Sequence, residues 1–166
     1  MTHHLLISDA NILIDMIDGG IADELFQLEY EFGVPDVLFE YELKEHHPEL
    51  LDKGLKVMGL GETSIEITFD LHAQHRNAGL SVNDCMALVL ANQQKCPLLT
   101  GDAALRQICI LEQVEVKGTL WLMGQLFLAS IITAERAALA YEAMRHAGSR
   151  LPWADVAAQL SEFKSM

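Results

Sequence analysis

Short apolar runs and stretches of helical periodicity alternate along the chain. Residues 5–8 form the first apolar run and predict a strand that ends at Asp9. The next apolar side chains recur at helical spacing until Gly19-Gly20, at Ile12, Leu13, Met16 and Ile17. The sequence therefore begins with a predicted strand, an acidic residue at its end, and a helix.

The same succession is predicted in the rest of the chain. A second helix is predicted from the spacing of Ile21, Leu25, Leu28 and Phe32. The further predicted strands cover residues 33–37, 55–58, 97–100 and 114–116. The further predicted helical segments cover residues 38–45, 63–78, 81–93 and 103–109, and the chain from residue 119 onward apart from a break at 148–152.

This alternation predicts an α/β fold with three layers, α/β/α, around a central and mostly parallel sheet of about five strands. A chain of 166 residues that is 51% hydrophobic has enough apolar side chains for one sizeable core, so we expect a single domain. Ligands of such sheets bind at the carboxyl ends of the strands.

Four carboxylates are predicted to meet at that edge. Asp9 and Asp102 each follow an apolar strand directly, Asp84 lies in the first turn of the predicted helix 81–93, and Glu42 lies on the helix after the second strand. Carboxylates this close repel one another, and a hard divalent cation with oxygen ligands, Mg2+ or Mn2+, removes the repulsion. Such a site is suited to metal-assisted hydrolysis of a phosphodiester bond.

Each of these side chains also has a purely structural interpretation. Asp9 and Asn11 are favourable residues at the start of a helix, as is Asp102, which is also placed to pair with Arg106 one turn later. Ser81 and Asp84 have the spacing of a capping box. In the structural interpretation, Thr100 only forms hydrogen bonds with backbone groups at a strand end. Glu42 then lies on a solvated face of its helix.

The charge and the cysteines limit the setting of the protein. A formal net charge of -13 is unusual for a protein that binds the phosphate backbone, and it suits a site neutralised by cations or a basic protein partner. Three widely spaced cysteines without a CxxC pair favour a reducing cytoplasm. The apolar runs are too short for a signal peptide or a membrane span, so no membrane association is expected.

The order and spacing of four short segments resemble the PIN domains, many of which are toxins of bacterial toxin–antitoxin pairs. The resemblance spans nearly the whole chain. The segments are Ile7-Ser8-Asp9-Ala10-Asn11-Ile12-Leu13, Val37-Leu38-Phe39-Glu40-Tyr41-Glu42-Leu43, Leu80-Ser81-Val82-Asn83-Asp84 with Ala87 and Ala91, and Leu98-Leu99-Thr100-Gly101-Asp102-Ala103-Ala104-Leu105.

This resemblance implies a PIN-like fold and a metal-dependent endoribonuclease that uses Mg2+ or Mn2+. It also implies that residues 1–118 form the catalytic core and that residues 119–166 form a helical C-terminal extension of the same domain. Its implied metal ligands are Asp9, Glu42, Asp84 and Asp102. Asn11 and Thr100 are implied to orient the ligands or the attacking water, and Glu40 is an alternative to Glu42. The implied partners are an RNA substrate, a small basic antitoxin and a second copy of the chain.

Two other functions fit part of the sequence. A phosphotransfer domain that forms an aspartyl phosphate also has an Asp at the end of its first strand, but Asn11 stands where dehalogenase-like enzymes have a second Asp. Val116-Lys117 is only a faint match to the lysine that a receiver domain would need. A non-catalytic protein-binding module of the same fold would suit the acidic composition and the apolar C-terminal helices.

Overall fold

Five parallel strands form the centre of the computed structural model, which describes residues 4–166. The strands are β1 (His4–Ser8), β2 (Tyr30–Pro35), β3 (Lys56–Met58), β4 (Leu98–Leu99) and β5 (Val116–Lys117). They lie in the order β3-β2-β1-β4-β5, and every neighbouring pair is parallel. The predicted α/β fold is therefore confirmed, with a sheet that is parallel throughout.

Ten α-helices, one π-helical turn and one 3-10 turn connect and cover these strands in the described part of the chain. The helices between β1 and β3 are α1 (Ala10–Asp18), α2 (Ala22–Leu25), α3 (Asp36–Leu38) and α4 (Leu50–Lys53), with a π-helical turn at Phe39–Leu43. Those between β3 and β5 are α5 (Glu62–Gln74), α6 (Val82–Gln94) and α7 (Ala103–Leu111), with a 3-10 turn at Arg76–Ala78. The last three are α8 (Thr119–Leu128), α9 (Ala134–His146) and α10 (Trp153–Ser165).

The strand order places helices on both faces of the sheet. The chain moves from β1 to β2 and β3 in one direction and from β3 to β4 and β5 in the other, so right-handed crossovers put the two sets of helices on opposite faces. On one face, α6 packs against β1, β2 and α5. On the other, α1 packs against α2, α8 and α9. The result is the predicted three-layer arrangement.

The sheet and α6 form the middle of the hydrophobic core. Leu6 and Ile7 of β1 are buried, as expected for a central strand that is covered on both sides. Seven consecutive residues of α6, from Cys85 to Ala91, are buried, so this helix has core contacts all around.

Helices α8 to α10 complete the layer that contains α1. Gly19, at the end of α1, lies so close to α9 that a Cβ atom there would be 2.8 Å from the methyl group of Met144. Asp15 of α1 accepts hydrogen bonds from Thr119 Oγ1 (3.0 Å) and Ser149 Oγ (2.8 Å). The C-terminal helices are thus attached to the sheet layer through both apolar and polar contacts.

Several predicted boundaries were wrong. The predicted second helix ends at Leu25, and Phe32 lies in β2, where it is buried against the core. Apolar residues in a strand and in the turn before it happened to continue the helical spacing. The short helix α4 was not predicted, and β5 begins at Val116 rather than at Val114. The predicted helix over 38–45 is instead a π-helical turn preceded by α3.

No helix in the described range 4–166 combines the length and apolar character that crossing a membrane requires.

Candidate active site

The strand order reverses direction between the neighbouring strands β1 and β4. Asp9 and Thr100 follow these two strands, and their side chains meet at the carboxyl ends. Ser8, the last residue of β1, is in register with Leu99, the last residue of β4, and Asp9 N donates a hydrogen bond to Leu99 O (2.9 Å). Thr100 Oγ1 donates to Asp9 Oδ2 at 2.6 Å. Ligands of doubly wound sheets bind in the crevice at this point. Both residues were predicted at this edge.

The Asp9 carboxyl group is buried beside other negative charges. It is 4% exposed, and its Oδ1 accepts a hydrogen bond from Ile12 N at 3.0 Å. Burial raises the pKa of Asp9 to about 6; the hydrogen bonds from Thr100 and Ile12 oppose this rise, and the carboxylates of Asp84 and Asp15 add to it. No Lys, Arg or His side chain among residues 4–166 forms an ion pair with it.

Asp84 reaches the same region from the first turn of α6. Its Oδ2 accepts a hydrogen bond from Ser81 N (3.1 Å), and its own backbone N–H donates to Ser81 Oγ (3.0 Å). These two bonds form the capping box that the sequence predicted. They fix the half-buried Asp84 carboxylate at the start of α6, close enough to Asp9 for its charge to raise the Asp9 pKa.

Glu42 is the glutamate that lies near Asp84. Partial burial and then the charge of Asp84 raise the pKa of Glu42, while the side chain of Asn83 opposes the rise. Glu40 instead forms an exposed ion pair with Lys44, with Oε1 and Nζ 3.0 Å apart. The charge of Asp84 acts on Glu42, whereas Glu40 pairs with Lys44. The structure thus favours Glu42 over Glu40 as a member of the acidic group, by which we mean Asp9, Glu42, Asp84 and Asp102.

Asp102 is connected to Asp9 through Thr100. The Asp102 backbone N–H donates to Thr100 Oγ1 at 3.1 Å, and Asp102 Oδ1 caps α7 by accepting from Leu105 N at 2.8 Å. The predicted pair with Arg106 is not formed: Arg106 Nη2 lies 3.5 Å from Thr100 O instead. Asn11 is exposed and lines a cleft together with Asp102, and it has no side-chain hydrogen bond within the described residues.

The helix-capping interpretation is correct for three of the carboxylates, and it does not conflict with a functional one. Asp9, Asp84 and Asp102 each stand at a helix start and each bind a backbone N–H there. Capping fixes the position of a carboxylate and, for Asp84 and Asp102, engages one of its two oxygens within residues 4–166. Three of the four predicted carboxylates are therefore held in position by hydrogen bonds from backbone N–H groups at the start of a helix.

The donor atoms in this region suit a hard divalent cation, although they are not gathered into a finished site. All are carboxylate, hydroxyl or amide oxygens, the ligand type that Mg2+ and Mn2+ prefer. The charge of Asp84 raises the pKa of both Asp9 and Glu42, an effect that a bound cation would reverse. Over the described range 4–166, however, no three acidic, His or Cys side chains lie close enough together to hold a metal ion.

Some residues beside the acidic group were not found by sequence reasoning. Asp15, Ser149 and Arg150 line the cleft next to Asn11 and Asp102. The hydrogen bond between Asp15 and Ser149 joins residues 134 positions apart. Periodicity and spacing carry no signal for such a contact, because it arises only when α9 and the turn after it pack against α1.

The family comparison agrees with the fold. A comparison with curated proteins found no match. The model of the DUF3368 family, which is described as a PIN domain, matches residues 5–165. This match covers all five strands and all ten helices described above, apart from the first residue of β1. The chain belongs to the DUF3368 family of PIN domains.

Proposed function

We propose that the chain is a metal-dependent endoribonuclease that hydrolyses phosphodiester bonds in RNA. PIN domains are generally nucleases, so the coarse class, a hydrolase with a nuclease-type fold, follows from the family. The RNA substrate and the use of Mg2+ or Mn2+ go beyond that class and form the proposal.

The observation that carries the proposal is the environment of Asp9. A buried carboxyl group without a basic partner in the described chain is unfavourable for folding, and here it stands at the ligand-binding crevice and faces a second carboxylate. Such unfavourable arrangements are typical of functional sites. A divalent cation between these groups would convert the repulsion into attraction.

Each residue of the group has a role in this proposal. Asp9, Glu42, Asp84 and Asp102 hold the cation. When bound, it supplies an activated water and charge stabilisation at the attacked phosphate. Thr100 orients Asp9 through its hydroxyl group, and it fixes Asp102 by accepting the backbone N–H of that residue. Exposed Asn11 is placed to hydrogen-bond water or substrate at the cleft.

A toxin of a toxin–antitoxin pair is the biological setting that we propose for this activity. A chain with a net charge of -13 is suited to a small basic antitoxin, and its RNA substrates would be cytoplasmic. A homodimer is also proposed. Co-expression with the product of the adjacent gene, followed by size-exclusion chromatography, tests the partner; two separate elution peaks would contradict it.

The activity is tested by incubating the purified protein with labelled structured RNAs and single-stranded DNA in Mg2+, Mn2+ or EDTA. We expect cleavage of RNA only with a metal. Asp9→Asn and Asp102→Asn should lower the rate at least tenfold, whereas Asp70→Asn, which removes an exposed carboxylate on α5, should not change it.

A second pair of variants tests which glutamate takes part. Glu42→Gln should lower the rate by about tenfold or more, and Glu40→Gln should leave it within about twofold of wild type, because Glu40 pairs with Lys44 at the surface. Cleavage that persists in EDTA or in Asp9→Asn would contradict the proposal.

A non-catalytic binding module is the second candidate. It is favoured by the lack of three gathered metal ligands within residues 4–166. A folded wild type that neither binds divalent ions nor cuts RNA would support this function. An aspartyl-phosphate mechanism is disfavoured, because the side chain of Lys117 is engaged by Glu115 at 3.0 Å and lies over the ring of Trp121.

A further inference from the structure

Two clefts lie side by side next to the acidic group, and the C-terminal extension forms a wall of both. The first has a volume of about 690 Å3 and is lined by Asn11, Asp102 and the turn at residues 147–151. The second has a volume of about 450 Å3 and lies between the start of α7, the start of α8 and the same turn. Gly101, Ala103, Arg150 and Leu151 line both clefts, so the two adjoin each other, and we call them together the groove.

The charges along this groove are distributed unevenly. The first cleft contains Asp15, Asp18 and Asp102, with Arg150 at its border. The second contains Arg106 and Arg150 and one carboxylate, Asp155. A phosphate would therefore be repelled in the first cleft and attracted in the second.

Arg106 and Arg150 are available to an external anion, unlike most other cations of the described chain. Four lysines have carboxylate partners, Lys44, Lys53, Lys56 and Lys117. Arg145 stacks on Trp153, and Arg136 donates to Gly20 O. Neither Arg106 nor Arg150 has a carboxylate within 4.0 Å in residues 4–166, and both are exposed.

Arg106 is also held in place. Its Nη2 atom lies 3.5 Å from Thr100 O and 3.6 Å from the position that a Cβ atom would occupy at Gly118. Thr100 is the residue that binds Asp9, so the guanidinium group is connected to the acidic group by a single residue. An anion bound by Arg106 would lie in the second cleft, beside the end of β4 that carries Thr100.

We propose that Arg106 and Arg150 bind a backbone phosphate of the RNA strand next to the one that is cut, in the cleft between α7, α8 and the turn at residues 147–151. The inference rests on the proposed ribonuclease function. Arginine forms charge-assisted and often bidentate hydrogen bonds with phosphate, and phosphate contacts fix the register of a nucleic acid on its protein. The C-terminal extension is then a substrate-positioning element, since it supplies Arg150.

The test uses three variants: Arg150→Gln, Arg106→Gln, and the double variant that carries both substitutions. Lys164→Gln is the control. Lys164 is exposed near the end of α10 and lines a different cleft, so its substitution removes the same charge away from the groove. Binding is measured by fluorescence anisotropy of a labelled single-stranded RNA of mixed sequence in EDTA at several salt concentrations. Cleavage of the same RNA in Mn2+ gives kcat and KM, and circular dichroism checks that each variant is folded.

We expect each arginine substitution to weaken binding and raise KM by about tenfold, with kcat nearly unchanged. The slope of log K against log salt concentration should become shallower by about 0.7 for each phosphate that a variant no longer binds. Arg106→Lys should restore part of the binding, because a cation is kept at that position.

The possible failures are distinguishable. If the wild type cuts RNA but the arginine variants match Lys164→Gln, the phosphate site is wrong and the ribonuclease function stands. If RNA binding depends on both arginines but no metal supports cleavage, the phosphate site stands and the ribonuclease function is wrong. A wild type that neither binds nor cuts RNA overturns both.

Discussion

Asp9 has opposite effects on stability and on the proposed function. Its buried charge destabilises the fold, whereas the proposed metal site needs that charge. The folded protein buries its carboxyl group with two hydrogen bonds and no basic partner in the described chain, and burial raises its pKa to about 6. In the unfolded chain its pKa is near 3.8. One pKa unit corresponds to about 1.4 kcal/mol, so ionised Asp9 lowers the free energy of unfolding by about 3 kcal/mol at neutral pH.

The first prediction concerns the pH dependence of this effect in metal-free protein. Because the folded pKa is the higher one, Asp9 favours folding most below pH 4, and this contribution is lost as the pH rises to about 6. We expect Asp9→Asn, which keeps an acceptor for Thr100, to be more stable than wild type at pH 7 by up to about 3 kcal/mol. Urea unfolding in EDTA measures the difference.

The comparison at low pH is the control for this prediction. At pH 4 wild-type Asp9 is protonated in the folded state, so the two proteins should differ much less there. A constant difference between pH 4 and pH 7, or a less stable variant at pH 7, would show that Asp9 is not a buried and strained acid.

Thr100 is the second residue whose side chain decides the geometry. Its hydroxyl group donates to Asp9 and accepts from the backbone of Asp102. Thr100→Val keeps the volume and leaves both partners unsatisfied, so we predict a loss of about 1–3 kcal/mol in the free energy of unfolding, together with weaker RNA cleavage.

Thr68→Val is the matched control for the Thr100 variant. Thr68 is equally buried, but its hydroxyl group only donates to Ser64 O inside α5. The exchange at residue 68 should therefore cost less than about 1 kcal/mol and leave cleavage unchanged. Equal effects of the two substitutions would mean that Thr100 has no special part in the site.

At the scale of elements, α1 is the helix that links the acidic group to the C-terminal extension. It starts after Asp9, and one turn before its end Asp15 binds the hydroxyl groups of Thr119 and Ser149. Burial raises the pKa of Asp15. The hydrogen bonds from the two hydroxyl groups oppose this rise and favour the ionised carboxylate. The bond with Ser149 attaches the turn that contains Arg150 to α1.

We predict that Asp15→Ala loosens that turn without unfolding the sheet. The loss of two hydrogen bonds to a charged group should speed hydrogen exchange at residues 147–151 by about tenfold or more. Asp18→Ala, on the same helix but without such bonds in the described chain, is the control. Hydrogen exchange followed by mass spectrometry checks both, and unchanged exchange in Asp15→Ala would rule out the attachment.

Elements with strong local signals were predicted well from the sequence, and those set by packing were not. The start of α6 was predicted because Ser81 and Asp84 encode a capping box, and the strand before Asp102 because it is a short apolar run. Phe32 was misplaced because strand and helix spacing coincide locally. The π-helical turn at Phe39–Leu43 was not predicted, because the wider hydrogen bonding that distinguishes it from an α-helix gives no signal in the apolar spacing.

The candidate site was predicted as a set of residues but not as a geometry. Three of its carboxylates bind backbone N–H groups at helix starts, which the sequence does indicate, and the strand order brings the ends of β1 and β4, with Asp9 and Asp102 after them, to the same edge. Their distances from one another were not predicted. The position of Arg150 beside the site could not be predicted, because it depends on how α9 packs against α1 and on how α10 packs against α8 and α9. The division into a core at 1–118 and an extension at 119–166 stays a prediction.

For the whole molecule, the net charge of -13 has to be reconciled with a polyanionic substrate. The local distribution of charge reconciles the two: cations bound at the proposed site would neutralise part of the acid, and Arg106 and Arg150 line the cleft beside that site. RNA binding should accordingly depend more on divalent ions than it would for a basic protein.

The central claim is that the carboxyl edge of the sheet binds a divalent cation, and calorimetric titration of Mn2+ into metal-free protein tests it most directly. We predict saturable binding to wild type and to the control Asp70→Asn, and at least tenfold weaker binding to Asp9→Asn and Asp84→Asn. No binding to folded wild type, or equal binding to all four proteins, would contradict a metal site at Asp9 and with it the proposed ribonuclease mechanism.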